Sequence, residues 1–275
     1  MIKQSDPGAN ATAMAFFEQR GPVGVLMLHG YSGAPGELHP MGLALAGANY
    51  TVHGPLLAGH GGAPAELFGV TWEDWLSSAV AGLRRLRAVC RTIYVCGFSA
   101  GGLLALRLAA HVPIAGLITL APALQLRGGR LLHVTGLLQH IMPWYYPLAR
   151  ANFTDPAVRA AVRARVPEAD LDNPAVIETI RREARVPIGS IYQLARLQST
   201  ARRELARITV PTLVLQGRRD QTVDPRSATI VAGGIRSRDK RLVWFERSGH
   251  QLPLEGEREE VWATVRAWID QHSRI

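Results

Sequence analysis

Along the first half of the chain, short apolar runs without alternation are separated by longer segments of helical periodicity. Gly24-Val25-Leu26-Met27-Leu28, Tyr50-Thr51-Val52, Thr92 to Cys96 and Gly116-Leu117-Ile118-Thr119-Leu120 are the runs. Unbroken apolar stretches of this length, rich in β-branched residues, are strands covered on both faces. Between them, Leu38, Met41, Leu45 and Ala48 recur at helical spacing and predict a helix over Glu37 to Ala48. Trp72, Trp75, Leu76, Ala79, Leu83 and Leu86 trace a second apolar stripe, opened by Thr71 as a cap with Asp74 in the capping-box position. A third helix runs from the residues after Ser99 to His111, and Met14 to Glu18 reads as a short edge strand. Strand grammar returns at Pro211 to Gly217 and at Leu242 to Phe245, each followed by a helix, the first from about Pro225 and the last from Glu257 to Ile269. Strands and helices in strict alternation predict a mostly parallel central sheet flanked by helices.

The alternation fails between Pro122 and Ile208. Leu/Arg-rich segments there are broken by prolines at 143, 147, 156, 167, 174 and 187, and no strand pattern intervenes. Leu131 to Leu138 and Ile188 to Leu205 read as helical. An insertion of this kind between two sheet strands is expected to sit over the carboxyl edge as a helical cap. The division expected is therefore a core of residues 1–121 and 209–275 with a cap of 122–208.

Bulk properties narrow the classes of function. The 275 residues are within reach of one large domain. No stretch approaches the length of apolar sequence needed to span a bilayer, so stable membrane insertion is not expected. Met1 to Asn10 lacks the apolar segment of a secretory signal, and the two cysteines, Cys90 and Cys96, read as buried small hydrophobes; both points fit a reducing cytoplasm. The net charge of +9 comes almost wholly from arginine, with Lys3 and Lys240 the only lysines. The arginines fall in clusters interrupted by Asp and Glu, without long basic runs or interleaved aromatic platforms, which reads as a solvated helical surface and not a nucleic-acid interface. No metal-ligand spacing occurs, and no glycine-rich loop carries the lysine of a phosphate cradle, so neither a metal nor another cofactor is expected.

Candidate chemistry concentrates at strand ends. Gly97-Phe98-Ser99-Ala100-Gly101 lies where a strand meets a helix. Glycines two residues either side let strand and helix close on each other while the serine occupies a strained turn with its hydroxyl outward. The competing reading is a helix-capping serine in a nucleotide-binding turn, but such a turn belongs near the N-terminus with an acidic residue at the next strand end. A serine nucleophile needs a base, itself held by a carboxylate. Asp220, three residues past a later strand, and His250, in the loop after the last, are the candidates, in the order Ser, Asp, His. Asp224 rivals Asp220, with Glu246 behind it. His60 and His39 rival His250, although His60 in Gly-His-Gly reads better as a pocket-framing residue. Two amides should hold a tetrahedral oxygen: that of Ala100, and one after Leu28, where Tyr31 follows Gly30.

Taken together, His29-Gly30-Tyr31-Ser32-Gly33, Gly59-His60-Gly61, Gly97 to Gly102, Gln216 to Asp220 and Ser248-Gly249-His250 resemble the α/β-hydrolase superfamily across nearly the whole chain, and within it the small bacterial carboxylesterases and monoacylglycerol lipases. The resemblance implies an α/β-hydrolase fold with a small cap after the sixth strand, and ester hydrolysis through an acyl-enzyme without a cofactor. It assigns Ser99, Asp220 and His250 to the catalytic triad, and Tyr31 and Ala100 to the oxyanion hole. Ala100 stands where the group often has leucine, which opens that wall slightly. The substrates implied are esters with an apolar, short- to medium-chain acyl group, monoacylglycerols included. Amide or thioester hydrolysis, acyl transfer, and ligand binding without turnover are the alternatives.

Overall fold

The computed structural model describes residues 13–163, 166 and 168–273. The Met1 to Asn10 stretch, Arg165 and Pro167 lie outside them. Seven strands form the central sheet: β1 (Phe16–Glu18), β2 (Val23–Leu28), β3 (Thr51–Gly54), β4 (Thr92–Phe98), β5 (Gly116–Leu120), and, after an insertion carrying β6 (Trp144–Tyr145) and β7 (Val186–Pro187), β8 (Thr212–Gly217) and β9 (Lys240–Phe245). Their spatial order is β1-β3-β2-β4-β5-β8-β9. Only β1 runs antiparallel, pairing Phe17 with His53 at the sheet edge. All other neighbours are parallel.

The unbroken apolar runs are explained by burial on both faces, since every residue of β5 and β8 is buried. Helices α1 (His39–Gly47), α2 (Trp72–Arg87), α3 (Ala100–Ala109), α8 (Arg226–Gly234) and α9 (Arg258–Ser273) cover the sheet. One core layer joins β2 and β4 to the Trp75, Leu83 and Leu86 face of α2 and to α3. The other joins the opposite face of the sheet to Met41 and Leu45 of α1 and to Val265 and Trp268 of α9. The capping box at the start of α2 forms as expected: the Asp74 amide donates to Thr71 Oγ1, and the Thr71 amide donates to Asp74 Oδ2. Helix α1 begins two residues later than its periodicity indicated, because Pro35–Glu37 forms a separate 3₁₀ turn. Cys90 lies three residues past α2, and its side chain packs where the missing Cβ of Gly24 leaves room.

The insertion follows the fifth strand in chain order, not the sixth, and is mostly helical. It contains α4 (Thr135–Leu138), α5 (Pro156–Arg163), α6 (Pro174–Glu183) and α7 (Ile188–Glu204). The sequence pattern missed β6 (Trp144–Tyr145) and β7 (Val186–Pro187), which pair antiparallel. Two residues give no periodicity, and a proline in β7 reads as a breaker; the pair forms because tertiary packing brings it together. A small apolar cluster of Phe153, Val162 and Leu171 lies within the insertion. Its attachment to the rest of the molecule runs mainly through α7. Arg107 of α3 pairs with Glu204 at 2.5 Å and Gln193 accepts from the Trp72 amide at 3.4 Å, while Gln198 donates to the carbonyl of Ala123, three residues past β5, at 2.7 Å. Among the described residues no helix is long and apolar enough to cross a membrane.

Candidate active site at the carboxyl edge of the sheet

Ser99 stands between the last residue of β4 and the first of α3, with φ 54° and ψ −115°. A side-chain-bearing residue adopts this left-handed backbone only under local constraint. The constraint is visible in the neighbouring glycines. A Cβ on Gly97 would lie 2.2 Å from the Gly101 carbonyl oxygen, and one on Gly101 would lie 2.1 Å from that of Leu28. Only glycine at both positions lets β4, the start of α3 and the end of β2 approach this closely. The turn leaves Ser99 only 8% exposed.

Two later strand ends supply its partners. His250 Nε2 lies 3.1 Å from Ser99 Oγ, and His250 Nδ1 lies 2.9 Å from Asp220 Oδ2. Asp220 is fully buried, and both of its oxygens are engaged. Oδ1 accepts from the amides of Thr222 and Val223, each at 2.8 Å, and Oδ2 also accepts from Gln216 Nε2 at 2.9 Å. Burial pushes the Asp220 carboxyl upward. The hydrogen bond and charge of His250, with the two amides, outweigh burial and hold the group below the ordinary carboxylate range. An ionised Asp220 accepts a hydrogen bond from His250 Nδ1–H, which leaves Nε2 as the acceptor facing the serine hydroxyl.

The rivals stand elsewhere. Asp224 engages the guanidinium of Arg226 at 2.5 Å and accepts from its amide, and Glu246 pairs with Arg218 at 3.2 Å. His39 packs against Phe16, with ring centroids 4.7 Å apart. His60 Nδ1 donates to the Ala58 carbonyl, and its ring packs edge-on against Trp75 and His29, behind the loop that follows β2.

That loop is held from beneath. His29 Nδ1 donates to the Gly30 carbonyl at 3.0 Å while Nε2 accepts from the Leu57 amide at 3.2 Å, which defines a neutral imidazole. Burial, reinforced by His60, pushes its pKa down to about 3. The Gly30 amide donates to Glu37 Oε2 at 2.9 Å. The Tyr31 amide follows Gly30 in this loop, and the Ala100 amide opens α3, where the first amides of a helix have no intrahelical acceptor.

The histidine loop has supports that the sequence pattern did not reveal. Glu255 accepts from the amides of Gly249 at 2.6 Å and Gln251 at 3.0 Å. Glu257 accepts from Ser248 Oγ at 2.6 Å and from the Arg247 amide at 2.9 Å. Burial raises the Glu257 pKa, but these two hydrogen bonds and Arg247 more than compensate, leaving it lowered. From sequence, Glu257 reads only as the first residue of the last helix, and Glu255 carries no signal. Gly217 is a further support, since a Cβ there would meet the Gly249 carbonyl at 2.3 Å. Among the described residues no group of three or more His, Cys, Asp or Glu side chains is placed to hold a metal ion.

Comparison with known proteins agrees with this architecture. Residues 23–257 match the family described as serine aminopeptidase, S33. The chain is 33% identical to a thermostable monoacylglycerol lipase of Bacillus sp. (strain H-257) over 244 residues, 88% of each protein. It is 27% identical to a carboxylesterase of Bacillus subtilis (strain 168), covering 94% of this chain and 97% of that one. A solved structure from work on LipS and LipT, two metagenome-derived lipolytic enzymes, superposes with a TM-score of 0.79 at 26% identity, over 98% of this chain and 100% of that one. A seven-stranded sheet with one antiparallel edge, a serine in a strained strand-to-helix turn, and a family match across most of the chain together make this protein a member of the serine aminopeptidase S33 family of the α/β-hydrolase superfamily, related to bacterial carboxylesterases and monoacylglycerol lipases.

Proposed function

We propose that this chain is a serine carboxylic-ester hydrolase that acts through an acyl-enzyme on short- to medium-chain acyl esters, monoacylglycerols among them. The observation that carries the proposal is the hydrogen-bonded chain from Ser99 Oγ through His250 to a buried Asp220. In the reaction, His250 Nε2 takes the Ser99 proton as Oγ attacks the ester carbonyl. The amides of Tyr31 and Ala100 hold the oxyanion, each contributing about 3 kcal/mol of transition-state stabilisation. The alcohol departs with the proton from His250, and water then repeats the sequence on the acyl-serine. Asp220 keeps the imidazole in the tautomer that accepts at Nε2.

The insertion, read as a cap spanning residues 122–208, supports an apolar substrate. An open apolar hollow of about 370 Å³ lies on the insertion between α4 and α7, bordered by Leu132, Leu138, Tyr145 and Ile191. The relatives that are a carboxylesterase and a monoacylglycerol lipase point to the same chemistry. Turnover of p-nitrophenyl esters from acetate to decanoate, abolished by Ser99→Ala, is the expected result; full turnover in that variant overturns the proposal. The family description favours a second reading, amide-bond hydrolysis by the same residues. Aminoacyl p-nitroanilides run beside the esters decide between them.

A further inference from the structure

Tyr31 belongs to the loop after β2, whereas its hydroxyl reaches into the insertion. It lies 2.6 Å from Ser190 Oγ, near the start of α7, and Ser190 Oγ in turn donates to the Pro187 carbonyl at 2.7 Å. The proton count settles the direction. Ser190 has one hydroxyl proton, and it is directed to Pro187; the bond to Tyr31 is therefore made with a serine lone pair, and Tyr31 is the donor. Burial pushes the Tyr31 phenol up to about 12, against a lowering by Ser190, so the donor keeps its proton across the working range.

Both ends of this short chain are anchored. Ser190 is 1% exposed, and α7 is fastened to the core by Gln193, Gln198 and Glu204. Pro187 belongs to β7, and the next residue, Ile188, donates its amide to the Pro143 carbonyl at 2.9 Å beside β6. On the core side, the Tyr31 ring rests edge-on against Trp75 at 6.0 Å and His60 at 6.5 Å. The loop bearing the Tyr31 amide is thus fixed from below by His29 and Glu37 and from the insertion by its own side chain.

We infer that Ser190 is a positioning residue for acyl transfer: through the Tyr31 hydroxyl it sets where the Tyr31 amide stands relative to the substrate oxygen. This rests on the ester-hydrolase reading, with Tyr31 as an oxyanion donor. A phenylalanine at position 31 would pack on Trp75 equally well but would leave the loop without its upper tether. The backbone would then sample positions in which the amide misses the developing charge, a loss felt in the transition state more than in substrate binding.

The test compares Tyr31→Phe, Ser190→Ala, the double variant and Ser190→Thr, using p-nitrophenyl butyrate and a tetrahedral-adduct inhibitor, butylboronic acid. Expected are a loss of about five-fold in kcat for each single variant, the size of one buried hydrogen bond, with KM little changed and boronate affinity weakened in parallel. The double variant should lose no more than either single one, because both break the same link. Threonine, which keeps the hydroxyl, should restore most of kcat. Wild-type kcat in Tyr31→Phe, or additive losses in the double variant, overturns the inference, even if the melting temperature falls. Should either single variant not fold, the other and Ser190→Thr carry the same comparison. A wild-type chain lacking Ser99-dependent ester turnover would instead overturn the ester-hydrolase reading itself, a separate and distinguishable failure.

Discussion

Replacing Asp220 by asparagine changes one atom and reverses a hydrogen-bond direction. Oδ1 accepts from the Thr222 and Val223 amides, so the amide oxygen of the substituted side chain takes that position. The new NH₂ then occupies the place of Oδ2, facing Gln216 Nε2 and His250 Nδ1, each 2.9 Å away. A donor now meets two donors. His250 relieves its share by moving its proton to Nε2, which then points at Ser99 with a proton it cannot exchange for the serine's. Where the equivalent change has been made in a serine protease triad, the wrong tautomer lowers kcat by about 10⁴-fold, or about 5 kcal/mol of barrier. Gln216 relieves its share only by turning its amide, which moves Nε2 to where the partnerless Oε1 now lies, and a buried donor without an acceptor destabilises the fold by about 1–3 kcal/mol. Both effects are measurable in one preparation: kcat for p-nitrophenyl butyrate and urea unfolding by tryptophan fluorescence. Asp224→Asn serves as the control, since Asp224 engages Arg226 and not the histidine. If Asp220→Asn keeps more than a tenth of the wild-type kcat, or if Asp224→Asn falls as far, the assignment of the carboxylate is wrong.

Further expectations concern packing, titration and substrate length. Gly101→Ala places a methyl 2.1 Å from the Leu28 carbonyl oxygen; forcing β2 and α3 apart should destabilise the fold by about 1–3 kcal/mol and lower kcat, both read in the same two assays. His29, with its pKa lowered to about 3, should show no ring titration by NMR above pH 5. Its folded value lies below the unfolded one, so the stability it confers is complete above about pH 6.5 and is lost as pH falls towards 3; unfolding across that window should show a slope that His29→Asn reduces. Asp220 and Glu257, also lowered, lose theirs at more acid pH, as pH falls from about 4 through their folded-state values, so Glu257→Gln should flatten the acid limb of the melting curve. Leu138→Trp, which fills part of the open hollow of about 370 Å³ on the insertion, tests whether a long acyl chain lies there: kcat/KM for p-nitrophenyl decanoate should fall at least ten-fold more than for the acetate, and equal effects would exclude the hollow from the acyl path.

Much of the core was legible because its signals are local. The buried strands announce themselves as unbroken apolar runs, and the Thr71–Asp74 capping box is a four-residue pattern that forms wherever a helix follows. Ser99 is marked by the glycines at 97 and 101, whose reason is steric and lies within the same turn. The convergence of Asp220 and His250 on it was inferable from where parallel strands end, and Asp220 was preferred to Asp224 in sequence; both follow the same strand, and the coordinates set Asp220 against His250 and Asp224 against Arg226. What was hidden depends on distant partners. Glu255 and Glu257 give no sign of their role until the histidine loop folds onto them. The Tyr31–Ser190 bond joins residues 159 apart in sequence, and nothing in either neighbourhood announces it. The β6–β7 pair is too short for a period and exists because α7 and the segment before Trp144 are brought side by side.

The central claim is that the Ser99 hydroxyl is activated by His250 and forms a covalent acyl intermediate. Intact-protein and peptide mass spectrometry after a fluorophosphonate bearing an alkyl chain test this directly. A single adduct on the peptide containing Ser99, absent in Ser99→Ala and slowed at least a hundred-fold in His250→Ala, is the predicted result. Labelling at another residue, or labelling of Ser99 at the same rate without His250, would contradict it.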